Sequence, residues 1–173
     1  KTMLNSTTAE TDRAKEVIPI AAKYGSILVG LTITDAGMPT TAQERFEIAV
    51  SIGEQAQAAG IPPEKVYIDP LVRAISAEPE QGKELLLATR RISEKLAPVG
   101  VVYGLSNISF GLPGRHFLNR TMLAMSMANG LGAAIMDPLD KNIMAVLRAA
   151  EALLGQDDFC ANYLMAFRAG LVG

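Results

Sequence analysis

The sequence predicts an α/β domain built around parallel β-strands. Five short runs of aliphatic or β-branched residues alternate with longer segments whose apolar residues recur at helical spacing. These runs lack the alternating polar residues of half-exposed antiparallel strands, so they are typical of strands buried in a parallel sheet. The 173 residues suffice for one domain but fall short of the roughly 200 to 250 residues of a complete α/β barrel. Two architectures therefore stay open, a doubly wound sheet and part of an eight-stranded barrel.

The first predicted elements are strands over residues 2–4, 27–33, 66–68, 99–103 and 133–136. A helix is predicted over residues 12–24, with Thr11 or Asp12 as its cap and Gly25 at its end. Pro19 falls inside this helix. It is expected to bend or interrupt the helix, because proline lacks the N–H group that an interior position needs.

The second helix begins at a predicted capping box, formed by Thr41 and Glu44. Its apolar face is expected to contain Phe46, Val50, Gly53 and Ala56, and the segment 60–63 stops it. The third helix is predicted from Pro79, a first-turn proline, to about Leu96. Helices over 115–129, 141–154 and 157–169 follow, the second of them capped by Asp140 and the last expected to pack Cys160.

Composition excludes several classes of function. Sixteen Lys and Arg residues against eighteen Asp and Glu residues leave a net charge of −2, so we predict no nucleic-acid or anionic-membrane partner. One Cys and one His, Cys160 and His116, cannot form a Cys/His zinc site or an iron–sulfur cluster within one chain, and no metal site is predicted. The lone Cys and the lack of a visible signal peptide favour the cytoplasm.

Polar residues collect where each apolar run ends. They are Asn5, Ser6, Thr32, Thr34, Asp35, Asp69, Ser106, Asn107 and Asp137. In either parallel architecture, ligands bind at the carboxyl ends of the strands. Neutral amides and carboxylates without a cation suit a flat heterocycle better than a phosphate, and one carboxylate can accept two adjacent N–H groups of a pterin edge. Each residue alone is equally well explained by turn chemistry, and amides also recognise sugars and purines.

Five sequence motifs extend over nearly the whole chain. They are Met-Leu-Asn-Ser at 3–6, Val-Tyr-Ile-Asp-Pro-Leu at 66–71, Gly-Leu-Ser-Asn-Ile-Ser-Phe-Gly-Leu-Pro at 104–113, Leu-Asn-Arg at 118–120 and Ala-Ala-Ile-Met-Asp-Pro at 133–138. Together they resemble the pterin-binding methyltetrahydrofolate:corrinoid methyltransferase family. The resemblance implies a TIM (β/α)8 barrel of the pterin-binding type, with the present strands as strands 4 to 8. Residues 1–173 would then form one barrel domain without its first three βα units, about ninety residues.

This resemblance also implies an activity. Members of the family move a methyl group between nitrogen-5 of tetrahydrofolate and the cobalt of a corrinoid, or cobalamin, that a separate protein carries, and they commonly act as homodimers. The version of the 104–113 motif looks closest to enzymes that move the methyl group from the corrinoid to tetrahydrofolate.

Matching motif positions assign roles to individual residues. Asn5 would bind the pterin, Asp69 would hold its amino-pyrimidine edge, and Asn107 would lie near nitrogen-5 as the catalytic residue. Because Asn107 has no titratable proton, it would act by ordering a water and by a hydrogen bond that strengthens as charge develops. The predicted substrate-binding set also contains Ser106, Arg115 and Asp137.

Two alternatives remain at this stage. Dihydropteroate synthase shares the expected fold and pterin pocket. Its motif resembles Ser-Arg-Lys at the strand where this chain has Ser106-Asn107-Ile108. Because the lysine is missing here, the sequence argues against the pyrophosphate displacement of that enzyme. The other alternative is a barrel remnant that binds without catalysis, since five strands of eight would leave two parallel edges unpaired.

Overall fold

The computed structural model describes residues 2–172 and contains one parallel sheet. Its strands are β1 (Met3–Thr8), β2 (Ile27–Leu31), β3 (Val66–Asp69), β4 (Gly100–Gly104) and β5 (Ala133–Ile135). Each strand pairs in parallel with the next one along the chain, so the spatial order equals the chain order. A doubly wound sheet reverses its strand order at a switch point, whereas a barrel does not. The sheet is therefore part of a barrel, and the expected fold class is confirmed.

Helices alternate with the strands, as predicted. They are α1 (Thr11–Tyr24), α2 (Ala42–Ala58), α3 (Gln81–Lys95), α4 (Arg115–Ala128), α5 (Lys141–Leu153) and α6 (Ala161–Arg168). The capping box of α2 is present, and the Asp140 side chain accepts hydrogen bonds at the start of α5. Helix α3 begins two residues after Pro79, and β1 continues four residues beyond the predicted end at Leu4.

Helix α1 differs from its prediction at both Pro19 and its cap. Pro19 does not interrupt the helix, and the N-cap is Glu10, whose side chain makes no capping hydrogen bond. Pro19 and Lys15, whose carbonyl loses its usual partner, are both exposed, so water can satisfy that carbonyl. Gly25 ends the helix in the left-handed conformation at φ 60°, as predicted.

The C-terminal segment folds as a short turn followed by a helix, instead of the single helix predicted over 157–169. Residues Asp158–Cys160 form a 3₁₀ turn, and α6 starts at Ala161. Asp157 is buried and accepts hydrogen bonds from the first turn of α6, at 3.0 and 2.9 Å. Its negative charge therefore stabilises that helix start. Cys160 was expected to be packed, but it is exposed because it lies in the turn.

The two faces of the sheet have different surroundings. Strand residues such as Leu28, Ile68 and Tyr103 join the apolar side chains of the helices in the main core. The pairing register puts the intervening residues on the opposite face, which corresponds to the interior of a barrel. Strand β1 continues to Thr8 because, after a register shift between Asn5 and Thr7, Thr7 and Thr8 still pair with Gly30 and Leu31 of β2.

Candidate functional site

The register brings Asn5 and Asp69 to the inner face of the sheet. Asn5 pairs with Val29 on β2, and Leu31, two residues further along β2, pairs with Asp69 on β3. Val29 and Leu31 point to the same face because side chains alternate along a strand. Strand spacing and rise then separate the two Cα atoms by about 12 Å. This distance allows a bicyclic heterocycle to lie between the two side chains.

Asp69 is partly buried at the end of β3. Its Oδ1 accepts a hydrogen bond from the backbone N–H of Leu71 at 2.9 Å, and no cation within residues 2–172 forms an ion pair with it. Burial raises the pKa of Asp69 to about 6, and the hydrogen bond from Leu71 only partly offsets this effect. Above that pH the carboxylate is charged, and its second oxygen is available for N–H donors of a ligand.

A short 3₁₀ turn, Leu105–Ser109, follows β4 and carries Ser106 and Asn107. Both residues are exposed, and within the described chain neither side chain makes a hydrogen bond. Ser109 fixes the end of the turn. Its buried hydroxyl donates a hydrogen bond to Asn119 Oδ1 at 2.8 Å and accepts one from Arg115 Nε at 3.1 Å. The turn thus has a fixed backbone, and it places the unbonded side-chain amide of Asn107 at the rim formed by the carboxyl ends of the strands.

A cavity of about 500 Å³ brings together three of the predicted site residues, Ser106, Arg115 and Asp137. Asn5, Asp69 and Asn107 do not line it. Arg115 is exposed, and its guanidinium donates to the Ser106 carbonyl at 2.7 Å. Arg115 therefore stabilises the turn after β4 through its hydrogen bonds to Ser106 and Ser109.

Turn chemistry accounts for part of the polarity at the rim. One oxygen of Asp137 accepts from the N–H of Leu139 at 2.9 Å, which repeats the arrangement at Asp69. Asp35 accepts from both the hydroxyl and the N–H of Thr11, and these bonds lower the pKa of Asp35. Asp35 therefore anchors the start of α1. Thr32 is fully buried, and its hydroxyl has no partner among the residues that the structure describes.

Sequence reasoning missed Arg45, the largest side chain that is fully buried. The buried face of α2 consists of Ala42, Arg45, Ala49, Ile52 and Ala56. The expected face is confirmed in part: Ala56 is buried and Phe46 packs against the core, whereas Val50 and Gly53 are only partly buried. Because an arginine does not count as apolar, the sequence pattern did not place position 45 in the buried stripe. The regular spacing of small and apolar residues around Arg45 was the signal that could have revealed it.

Residues 2–172 lack two kinds of functional feature. No helix in this range is long and apolar enough to cross a membrane. No group of three His, Cys, Asp or Glu residues in the same range is arranged to hold a metal ion.

Comparison with known proteins identifies the family of this chain. The model of the pterin-binding enzyme family matches residues 1–137. The chain belongs to this family. Among solved structures, this member of the family is similar to dihydropteroate synthase (FolP) from Clostridium difficile, determined in the presence of pteroic acid. The TM-score is 0.58 at 18% identity, over 86% of this chain and 60% of that chain. This likeness shows the shared barrel fold.

The curated relatives of this chain include one protein named as a methyltransferase and two named as methionine synthases. The chain is 33% identical over 173 residues to methylcorrinoid:tetrahydrofolate methyltransferase from Eubacterium limosum. It is also 33% identical over 130 residues to methionine synthase from Mycobacterium tuberculosis. The alignments cover 99% and 71% of the chain, but only 64% and 11% of those two proteins.

Proposed function

We propose that the protein transfers a methyl group between nitrogen-5 of tetrahydrofolate and the cobalt of a corrinoid carried by a separate protein. The observation that carries this proposal is Asp69, a partly buried carboxylate on the inner face, one oxygen of which has no hydrogen-bond partner among residues 2–172. The amino-pyrimidine edge of a pterin offers adjacent N–H groups, which such a carboxylate binds in a bidentate pair. Similarity to a methylcorrinoid:tetrahydrofolate methyltransferase over nearly the whole chain supports the choice of reaction.

Within this proposal the rim residues have distinct roles. Asp69 and Asn5 grip the pterin from two strands of the inner face. Asn107 contributes a free amide near nitrogen-5, where it orients a water and strengthens its hydrogen bond as charge develops on the nitrogen. Ser106, Arg115 and Asp137 line the neighbouring cavity and contact the rest of the folate.

The proposal extends to assembly and partners. The corrinoid and the folate are both substrates, and the corrinoid protein presents its cofactor at the strand-end rim. We further propose that three βα units complete the barrel, because the chain accounts for 64% of the length of the Eubacterium relative. A homodimer and a cytoplasmic location remain predictions, which light scattering of the intact protein and cell fractionation would check.

The direct test is methyl transfer by the intact protein. Methyltetrahydrofolate and free cob(I)alamin are mixed with the enzyme, and the loss of the cob(I)alamin absorbance is followed. Asn107→Ala is expected to lower kcat/KM by about 100-fold, because one hydrogen bond to developing charge is removed. Gln57→Ala removes an exposed amide at the far end of α2 and serves as the matched control.

A second comparison addresses binding. Asp69→Ala is expected to raise the Kd for methyltetrahydrofolate by at least about tenfold, because the pterin edge loses its charged acceptor. Asp158→Ala, at an exposed carboxylate in the turn before α6, should leave that Kd unchanged. A wild-type protein that binds no methyltetrahydrofolate would refute the proposal, and equal affinities of wild type and Asp69→Ala would refute the role of Asp69.

A further inference from the structure

Arg45 lies in the first turn of α2 and is completely shielded from solvent. Burial lowers the pKa of Arg45, although a guanidinium stays charged at physiological pH. Its hydrogen-bond partners within residues 2–172 are all neutral oxygens. A buried cation without a bonded carboxylate is costly, and an apolar side chain of similar size would avoid that cost. The hydrogen bonds that Arg45 makes therefore explain its presence.

These hydrogen bonds join segments that follow two neighbouring strands. The Arg45 Nε donates to the carbonyl of Pro70 at 2.7 Å, and one Nη donates to the carbonyl of Leu71 at 3.4 Å. The other Nη donates to the carbonyl of Thr40, in the loop before α2, at 2.9 Å. The residues bound after β3 come directly after Asp69 in the chain. Arg45 thus ties the Asp69 loop to the loop of the preceding strand.

Leu71 connects Arg45 to Asp69. Its φ of 63° is in the left-handed region, which leucine rarely occupies. The Leu71 carbonyl accepts from Arg45, and the Leu71 N–H donates to Asp69 Oδ1 at 2.9 Å. The Leu71 N–H thereby engages Oδ1 of Asp69, and Oδ2 has no hydrogen-bond partner among residues 2–172. Contacts on both sides hold a conformation that the sequence does not favour locally.

Gln81, at the start of α3, accepts a hydrogen bond from the same Arg45 Nη that donates to the Leu71 carbonyl. It is buried, and its Oε1 accepts from an Arg45 Nη at 2.6 Å. Its amide nitrogen donates to the Thr40 carbonyl at 3.1 Å and to Glu78 at 2.9 Å. The position of Arg45 is therefore over-determined by hydrogen bonds, as expected of a group that sets the geometry of its neighbours.

We propose that Arg45 is a positioning residue for pterin binding, which fixes the orientation of the Asp69 carboxylate through Pro70 and Leu71. The proposal rests on the proposed function. Arg45 does not contact the folate. Arg45 instead holds the free oxygen of Asp69 in its binding orientation before the ligand is bound. Binding then does not require the Pro70–Leu71 segment to become ordered.

The test compares variants of the intact protein under conditions where circular dichroism shows each of them to be folded. The Kd for methyltetrahydrofolate is measured by titration calorimetry, and KM and kcat are measured with free cob(I)alamin. Arg45→Met keeps an apolar stem but removes the loop hydrogen bonds. It is expected to raise Kd and KM by about tenfold while kcat at saturating folate stays within about threefold. Arg45→Lys should be intermediate, because an ammonium cannot reproduce the planar fork of donors.

Ile92→Ala is the matched control for loss of stability. Ile92 is buried in α3, more than two helical turns from Gln81, and its truncation should lower the melting temperature without changing Kd. If Arg45→Met lowers the melting temperature but binds methyltetrahydrofolate as wild type does, Arg45 is only structural and the proposal is overturned.

A second variant decides the question if Arg45→Met does not fold. Gln81→Met removes one support of the guanidinium, and an increase in Kd of about threefold is expected, whereas an unchanged Kd overturns the proposal. The same measurements separate the proposed function from the role of Arg45. Wild type that binds no methyltetrahydrofolate refutes the proposed function, and with it the role of Arg45. Weaker binding in Asp69→Asn with normal binding in both Arg45→Met and Gln81→Met refutes the role of Arg45 alone.

Discussion

Asp69→Asn is expected to stabilise the fold while it weakens pterin binding. Burial raises the pKa of Asp69 from 3.8 to about 6, a difference of about two pH units, and each unit corresponds to about 1.4 kcal/mol. Because the folded-state pKa is the higher one, the neutral carboxyl favours folding below pH 4. That contribution is lost as the pH rises from about 4 to about 6. At pH 8 the buried charge therefore costs about 3 kcal/mol.

Asparagine has nearly the same shape as aspartate and no charge. Its carbonyl oxygen can still accept from the N–H of Leu71, whose distance to Asp69 Oδ1 is 2.9 Å. The gain in the free energy of unfolding is smaller than the cost of the buried Asp69 charge, because the new NH₂ group of the asparagine is itself partly desolvated. We expect the free energy of unfolding to rise by about 1 to 3 kcal/mol at pH 8, and the difference from wild type to vanish near pH 4.

Urea unfolding of both proteins at intervals between pH 4 and pH 8 measures this difference. Other groups titrate in both proteins, so their effects cancel when the two curves are subtracted. Methyltetrahydrofolate binding should weaken in the same variant, since the amide presents a donor to the donor edge of the pterin. A stability difference that does not change with pH, or a less stable variant at pH 8, would refute the reasoning.

Three further substitutions test the surrounding structure, all by urea unfolding. Gly30→Ala should cost about 1 to 3 kcal/mol, because its Cβ would lie 2.5 Å from a methyl group of Ile52; the loss should shrink when Ile52→Ala is already present. Asp157→Ala should cost about 1 kcal/mol because the first turn of α6 loses its acceptor, whereas Asp158→Ala should be neutral. Ser109→Ala should cost about 1 to 3 kcal/mol, since the hydroxyl is fully buried and its partners would be left unsatisfied.

The order of secondary structure could be predicted because each strand and helix carries its own local signal. Apolar runs and helical spacing gave all five strands and most helix starts, including the capping box at Thr41. The errors arise where tertiary contacts outweigh local preference. Pro19 is tolerated because its neighbourhood is exposed, and β1 runs to Thr8 because it is paired with β2.

The site was predictable only in part. The rule that ligands bind at strand ends selects Asn5 and Asp69, and the register puts them on one face. It cannot indicate that one oxygen of Asp69 is already engaged, or that Arg115 braces the turn after β4. Arg45 escapes prediction because its partners after β3 and at Gln81 lie 25 to 36 residues away in the chain. Burial of a charged side chain is intelligible only when those partners are known.

Three locally unfavourable features occur together around the end of β3. A carboxylate with a raised pKa, a leucine in the left-handed conformation and a buried cation are joined by hydrogen bonds through Asp69, Leu71 and Arg45. Arg45 lies in the same buried stripe of α2 as the core residues Ala49 and Ile52, but it adds a charge there instead of an apolar side chain. Local costs of this kind persist where the rest of the fold over-determines them, and such positions are characteristic of ligand sites. The same low polarity that disfavours the charge of Asp69 also strengthens its bond to a donor edge. Stability and pterin recognition should therefore change in opposite directions at this carboxylate.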